Sequence, residues 1–151
     1  MHSHGVDTTD RIILQELLND SRTPVRTLAS KSGVSLGTVV NRIRHLEESG
    51  VIKRYTISVD YESLGYSFEA IISMKIAKGK YPEVAEELTE EQSVITIYDV
   101  TGEQDAIVIA LFPSRDDLDQ FLKRVQSHPL VEKTSTMLVL RTSKESELRL
   151  I

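Results

Sequence analysis

Apolar residues recur at helical spacing from Thr8 to Asn19, where Ile12, Ile13 and Leu17 are joined by Leu14 and Leu18, and Asp10 sits near the positive N-terminal end. This predicts a first helix. Thr23-Pro24 reads as an N-cap followed by a residue suited to the first helical position, with Leu28 and Ala29 following before Ser32-Gly33 closes a second, short helix. Ser35 caps a third helix in which Val39, Ile43 and Leu46 fall at i, i+4 and i+7, and Gly50 supplies the residue past the end that adopts positive φ. After Gly50 the period changes. Val51 to Val59 alternates and is rich in β-branched residues, which predicts a strand. The remainder reads strand (Phe68–Ile76), helix (Pro82–Glu91), strand (Val94–Val100), strand (Ala106–Phe112), helix (Arg115–Ser127) and strand (Val131–Arg141). Ser114 caps the last helix and His128-Pro129 stops it.

The predicted fold class is therefore α+β. A winged-helix-like helix-turn-helix domain over residues 1–50 is joined by a linker strand, 51–60, to a βαββαβ domain over 61–151. The second domain is expected to form a four-stranded antiparallel sheet with both helices on one face, the ferredoxin-like arrangement.

Composition narrows the function classes. The 151 residues include 40% hydrophobic and 27% charged side chains, enough to build a core and inconsistent with extensive disorder. The longest apolar run, Ala106 to Phe112, is far too short to cross a bilayer, and the N-terminus lacks the order of a signal peptide, so a cytoplasmic protein is expected. With no Cys there is no disulfide framework, thiolate metal site or cysteine nucleophile. No Ser/His/Asp arrangement, phosphate-cradling Gly loop or HExxH run is visible. The acids Glu83, Glu86, Glu87, Glu90 and Glu91 read as a solvated helix face, and no enzyme is expected. His2-Ser3-His4 is too sparse a set for a metal site, and none is predicted.

The net charge of −5 conceals an asymmetry. Residues 1–60 carry eight Lys/Arg against seven Asp/Glu, so the excess acid lies beyond them. Within residues 22–54, Arg22, Arg26, Lys31, Arg42, Arg44, Lys53 and Arg54 face only Glu47 and Glu48, a local +5. This is the footprint of a nucleic-acid-binding head on an acidic body, although a solvated basic face gives the same count.

If Val39, Ile43 and Leu46 point inward, the outer face of the third helix carries Leu36, Gly37, Thr38, Val40, Asn41, Arg44 and His45, with Arg42 at the boundary. Arg takes guanine bidentately, Asn takes adenine, Thr and Val can meet a thymine methyl, and Gly37 lets the helix start approach closely. Thr23, Ser35, Arg42, Lys53 and Arg54 occupy positions where the DNA backbone passes, while His45 reads as an ordinary surface residue. A protein-binding three-helix module, or simply a small stable domain, is the competing reading.

Three motifs now carry a family resemblance. They are Asp7, Asp10, Ile13 and Leu14 at the start of the first helix, Asp20 and Arg22 at its end, and Arg42, Ile43, Leu46, Glu47, Gly50, Val51 and Ile52 across the end of the third helix. With Gly102 and Asp105 in the later TGEQD segment and the βαββαβ order, the chain resembles the Lrp/AsnC, or feast/famine, transcription regulators along nearly its whole length. Gly37 and Val40 depart from the larger or basic residues common in that family.

The resemblance implies a sequence-specific, double-stranded-DNA-binding regulator whose second domain, related to ACT-type modules, mediates assembly and binds a small effector, commonly an amino acid. It implies no other cofactor, and a homodimer that assembles further, often to an octamer. The effector is expected around Val100, Thr101, Gly102, Glu103, Gln104 and Asp105 and the last strand, where Thr134 and Thr136 can supply hydroxyls. Amides around Gly102 suit a carboxylate and Asp105 suits an ammonium. A plain hairpin turn accounts for the same residues. The competing function is an architectural DNA-compacting protein without an effector.

Overall fold

The computed structural model describes residues 5–146 and 149–150. Contacts divide the chain into two units: the first 58 residues with the C-terminal segment from Lys144, and Val59–Ser143. The C-terminal segment thus groups with the helices rather than with the domain expected over 61–151; the Leu150 amide donates to Gln15 Oε1 at 2.7 Å.

In the first unit, helix α1 (Thr8–Asn19) opens with a reciprocal cap, Asp7 Oδ1 accepting from the Asp10 amide at 2.9 Å and Asp10 Oδ2 from the Asp7 amide at 3.1 Å. Helix α2 (Val25–Ser32) ends at Gly33, whose φ of 70° lies in the left-handed region that glycine tolerates. Helix α3 (Leu36–Glu48) starts at Ser35 and is closed beyond Ser49 by Gly50. Ile13, Leu28, Ala29 and Val39 form the shared core, with Leu17, Val25, Val34 and Ile43 packed around it. Their spacing put them on inward faces, and each fully buried Ile or Leu contributes about 1.5–3 kcal/mol.

The second unit contains β1 (Phe68–Ile76), α4 (Tyr81–Thr89), β2 (Val94–Asp99), β3 (Ala106–Phe112), α5 (Arg115–Ser127) and β4 (Val131–Leu138). The strands form one antiparallel sheet in the order β2-β3-β1-β4. Ala70, Ile72, Met74 and Ile76 alternate along one face of β1 and pack under Val84 and Leu88 of α4 and Leu118, Phe121 and Val125 of α5, so both helices cover that face. The Phe112 and Phe121 rings lie 5.2 Å apart at its centre. On the other face Ile71 stands between Ile109 and Met137, and Tyr98 stands opposite Ile107; neither helix of this unit packs on them. A bulge between Lys75 and Ile76 breaks the β1–β4 register.

The strand expected over Val51–Val59 does not form within the chain. Residues 51–60 join no ladder, and Val51, Tyr55, Ile57 and Val59 are exposed, because a strand needs a neighbour and the four-stranded sheet does not include this segment. At other boundaries α4 starts at Tyr81 and ends at Thr89, β2 stops at Asp99 and β4 at Leu138. Pro24, not Thr23, occupies the N-cap position of α2 and makes no side-chain cap bond.

Candidate DNA-binding and effector sites

The outward side of α3 is built from its own start. The Ser35 hydroxyl accepts from the Thr38 amide at 3.2 Å and lies 2.8 Å from the Thr38 hydroxyl, fixing the first turn. From that frame Leu36, Gly37, Val40, Asn41, Arg44 and His45 are exposed and Thr38 is half-buried. Nothing but Ser35 Oγ, at 4.0 Å, would meet a side chain on Gly37, so glycine here leaves room in front of the helix start.

Besides Ser35, two more of the positions expected to meet the DNA backbone are engaged within the protein. Arg42 is turned onto α1, its Nη1 donating to Asp7 Oδ2 at 2.7 Å and Asp10 Oδ1 at 2.9 Å. The Asp10 amide, and then Arg42, hold the Asp7 carboxyl below its ordinary range. Arg42 therefore locks α3 against α1 instead of reaching outward from the boundary. Thr23 donates its hydroxyl to the Asp20 carbonyl at 2.7 Å, finishing the turn after α1. Lys31 is also paired, with Glu16 at 2.6 Å. The local basic count thus resolves into exposed cations at Arg22, Arg26, Arg44, Lys53 and Arg54.

A tether missed in the sequence lies beside the last two. Tyr55 donates its hydroxyl to Glu47 Oε1 of α3 at 2.8 Å, and desolvation followed by that carboxylate pushes its pKa up to about 12. It links the segment following Lys53-Arg54 to α3. Its only sequence signal was an aromatic immediately after a basic pair.

In the second unit, residues 100–105 connect β2 to β3. Val100 donates to the Asp105 carbonyl at 3.1 Å and Asp105 donates to the Met74 carbonyl at 2.9 Å, closing the base of the loop. Between them, the amides of Thr101, Gly102, Glu103 and Gln104 donate to no backbone carbonyl among the described residues. Gly102 has φ 121°, a conformation that strains any other L-residue.

Asp105 is oriented rather than free: Oδ2 accepts from the Ile76 amide at 2.8 Å, and the Lys75 ammonium lies 3.2 Å from Oδ1 and 3.1 Å from Oδ2. The amide first, and then Lys75, hold its carboxyl below the ordinary range. Both residues line an open cavity of about 440 Å³ that also includes Tyr81, Asp99 and Glu132. Thr134 and Thr136 stand opposite Met74 and Ile72, on the helix-covered face, and line no part of this cavity. Gln126 Nε2 lies 3.4 Å from the Thr134 hydroxyl. Val100, Thr101, Gly102, Glu103 and Gln104 line no part of the cavity either, so of the residues expected around the effector Asp105 alone faces it among the described residues.

Among the described residues no group of three or more His, Asp or Glu is placed to hold a metal ion, and His2-Ser3-His4 lies outside them. No described helix is long and apolar enough to cross a membrane.

Residues 69–148 match the Lrp/AsnC ligand-binding domain and residues 6–53 match a winged helix-turn-helix DNA-binding model. An uncharacterised HTH-type transcriptional regulator of Pyrococcus horikoshii is 46% identical over 140 residues, spanning 93% of this chain and 95% of that protein. Among solved structures, E. coli AsnC superposes with a TM-score of 0.90 at 26% identity, covering 97% of this chain and 99% of the other. The Neisseria meningitidis transcriptional regulator NMB0573, solved as a complex with L-methionine, gives a TM-score of 0.88 at 26% identity and 94% coverage of each chain.

Proposed function

Because this chain belongs to the Lrp/AsnC family of transcription regulators, we propose that a free amino acid is the effector controlling its DNA binding, and that it is held at the loop of residues 100–105. The protein is an effector-responsive DNA-binding regulator, and the relatives it matches are named as transcriptional regulators. The observation that carries the effector reading is one short loop in which four amides, free of backbone partners among the described residues, precede a carboxylate oriented by the Ile76 amide. The amides around Gly102 take the ligand carboxylate and Asp105 takes its ammonium, the two charged ends common to every amino acid. The methionine complex of the Neisseria neighbour supports this ligand class.

DNA is read by Asn41 and Arg44, with Leu36, Gly37, Thr38 and Val40 shaping the contact, while Ser35, Lys53 and Arg54 meet phosphates and Arg42 positions α3. The uncovered sheet face containing Ile71, Tyr98, Ile107, Ile109 and Met137 is closed by a second copy. A dimer doubles the helix-turn-helix for a two-fold-related DNA site, and octamers follow if dimers associate. Such a regulator acts in the cytoplasm and needs no metal or further cofactor.

Calorimetry of the intact protein with a panel of common amino acids tests the effector site. One amino acid is expected to bind, and Asp105→Ala to weaken it roughly tenfold to a hundredfold by removing a charge-assisted hydrogen bond. Equal affinity in the variant places the ligand elsewhere.

A further inference from the structure

We propose that Lys75 is an internal occupant of the effector's ammonium position, so that an amino acid binds Asp105 only by displacing the Lys75 side chain toward the acids of the adjoining cavity. This rests on the reading of Asp105 as the ammonium acceptor. The Lys75 ammonium lies within 3.2 Å of both Asp105 oxygens, the same acceptors an incoming ammonium would use. The Ile76 amide fixes Asp105 Oδ2 independently at 2.8 Å, so the carboxylate keeps its orientation when Lys75 leaves.

The arrangement on the sheet explains why Lys75 leans toward Asp105. Lys75 stands directly opposite Lys133 of β4, and like charges facing across a ladder repel. Displacement is inexpensive because both side chains of the pair remain part-exposed, 40% for Lys75 and 32% for Asp105, and half-wet pairs are weak. An alternative resting place is at hand. Glu132 falls at the bulge where the β1–β4 register slips, and Glu132 and Asp99 line the same cavity as Lys75. These acids also disfavour the other use of Lys75, as a clamp for the ligand carboxylate, because that carboxylate would enter beside them.

The test is calorimetric titration of the full chain with the common amino acids, for wild type, Lys75→Gln, Lys75→Arg and Asp105→Asn. Removing a part-exposed competitor makes Lys75→Gln bind about two- to fivefold tighter than wild type. Lys75→Arg, which keeps a cation against Asp105, shows no such gain. Unchanged or weaker binding by Lys75→Gln, with Asp105→Asn impaired, overturns the competition while leaving the effector site intact. Binding by Asp105→Asn equal to wild type, or no binding by wild type and Lys75→Gln alike, overturns the effector reading itself and the competition with it.

Discussion

Phe121→Ala is expected to destabilise the unit of residues 59–143 by about 3–5 kcal/mol, the range for removing a ring from a core that collapses only partly. Phe121 is 1% exposed, packs on Phe112 of β3 at 5.2 Å and lies under the guanidinium of Arg124 of its own helix at 5.8 Å, so it anchors α5 to the sheet. For a unit of this size the loss lowers its melting temperature by roughly 12–40 °C. Calorimetric melting of the variant measures this; a shift of only a degree or two would mean that the helix-covered face of β1 and β3 does not depend on this ring.

The second large effect is on DNA. Arg44→Ala and Asn41→Ala each weaken binding at the preferred site by about 1–3 kcal/mol and relax base choice there, because both are exposed on α3 and carry the donor patterns that read guanine and adenine. Lys53→Ala instead weakens all sequences alike and lowers the salt slope by about 1. Arg42→Ala behaves differently from both. It frees Asp7 and Asp10 and loosens α3 against α1, so its loss appears as lower thermal stability accompanying weaker binding. Binding curves on preferred and random duplexes at several salt concentrations separate the three behaviours. Equal losses on every sequence for Asn41, Arg44 and Lys53 would remove the division between readers and positioners.

Local chemistry made much of this architecture legible. The limits of α1, β1, β3 and α5 follow the hydrophobic period and caps within a few residues, such as Asp7 with Asp10 and Ser114 with Asp117. What escaped depends on partners distant in sequence. Val51–Val59 has the alternation of a strand, but alternation does not say whether a neighbouring strand exists in the same chain. Arg42 counts as a DNA-facing cation until its two carboxylates, 35 and 32 residues away, are placed beside it. Period two puts Thr134 and Thr136 on one face; only their pairing with Met74 and Ile72 identifies that face as the covered one. Lys75 gave no signal in sequence, because its partner Asp105 is 30 residues away in the loop before β3.

DNA binding by this protein is expected to answer to an amino acid. Fluorescence anisotropy of the intact protein on a duplex recovered by site selection, with and without saturating amounts of each common amino acid, tests it most directly. One sequence is expected to be enriched and at least one amino acid to shift its affinity or the mass of the bound assembly, with Asp105→Ala abolishing the shift. Sequence-indifferent enrichment together with curves that no amino acid moves would contradict it and favour a DNA-compacting protein.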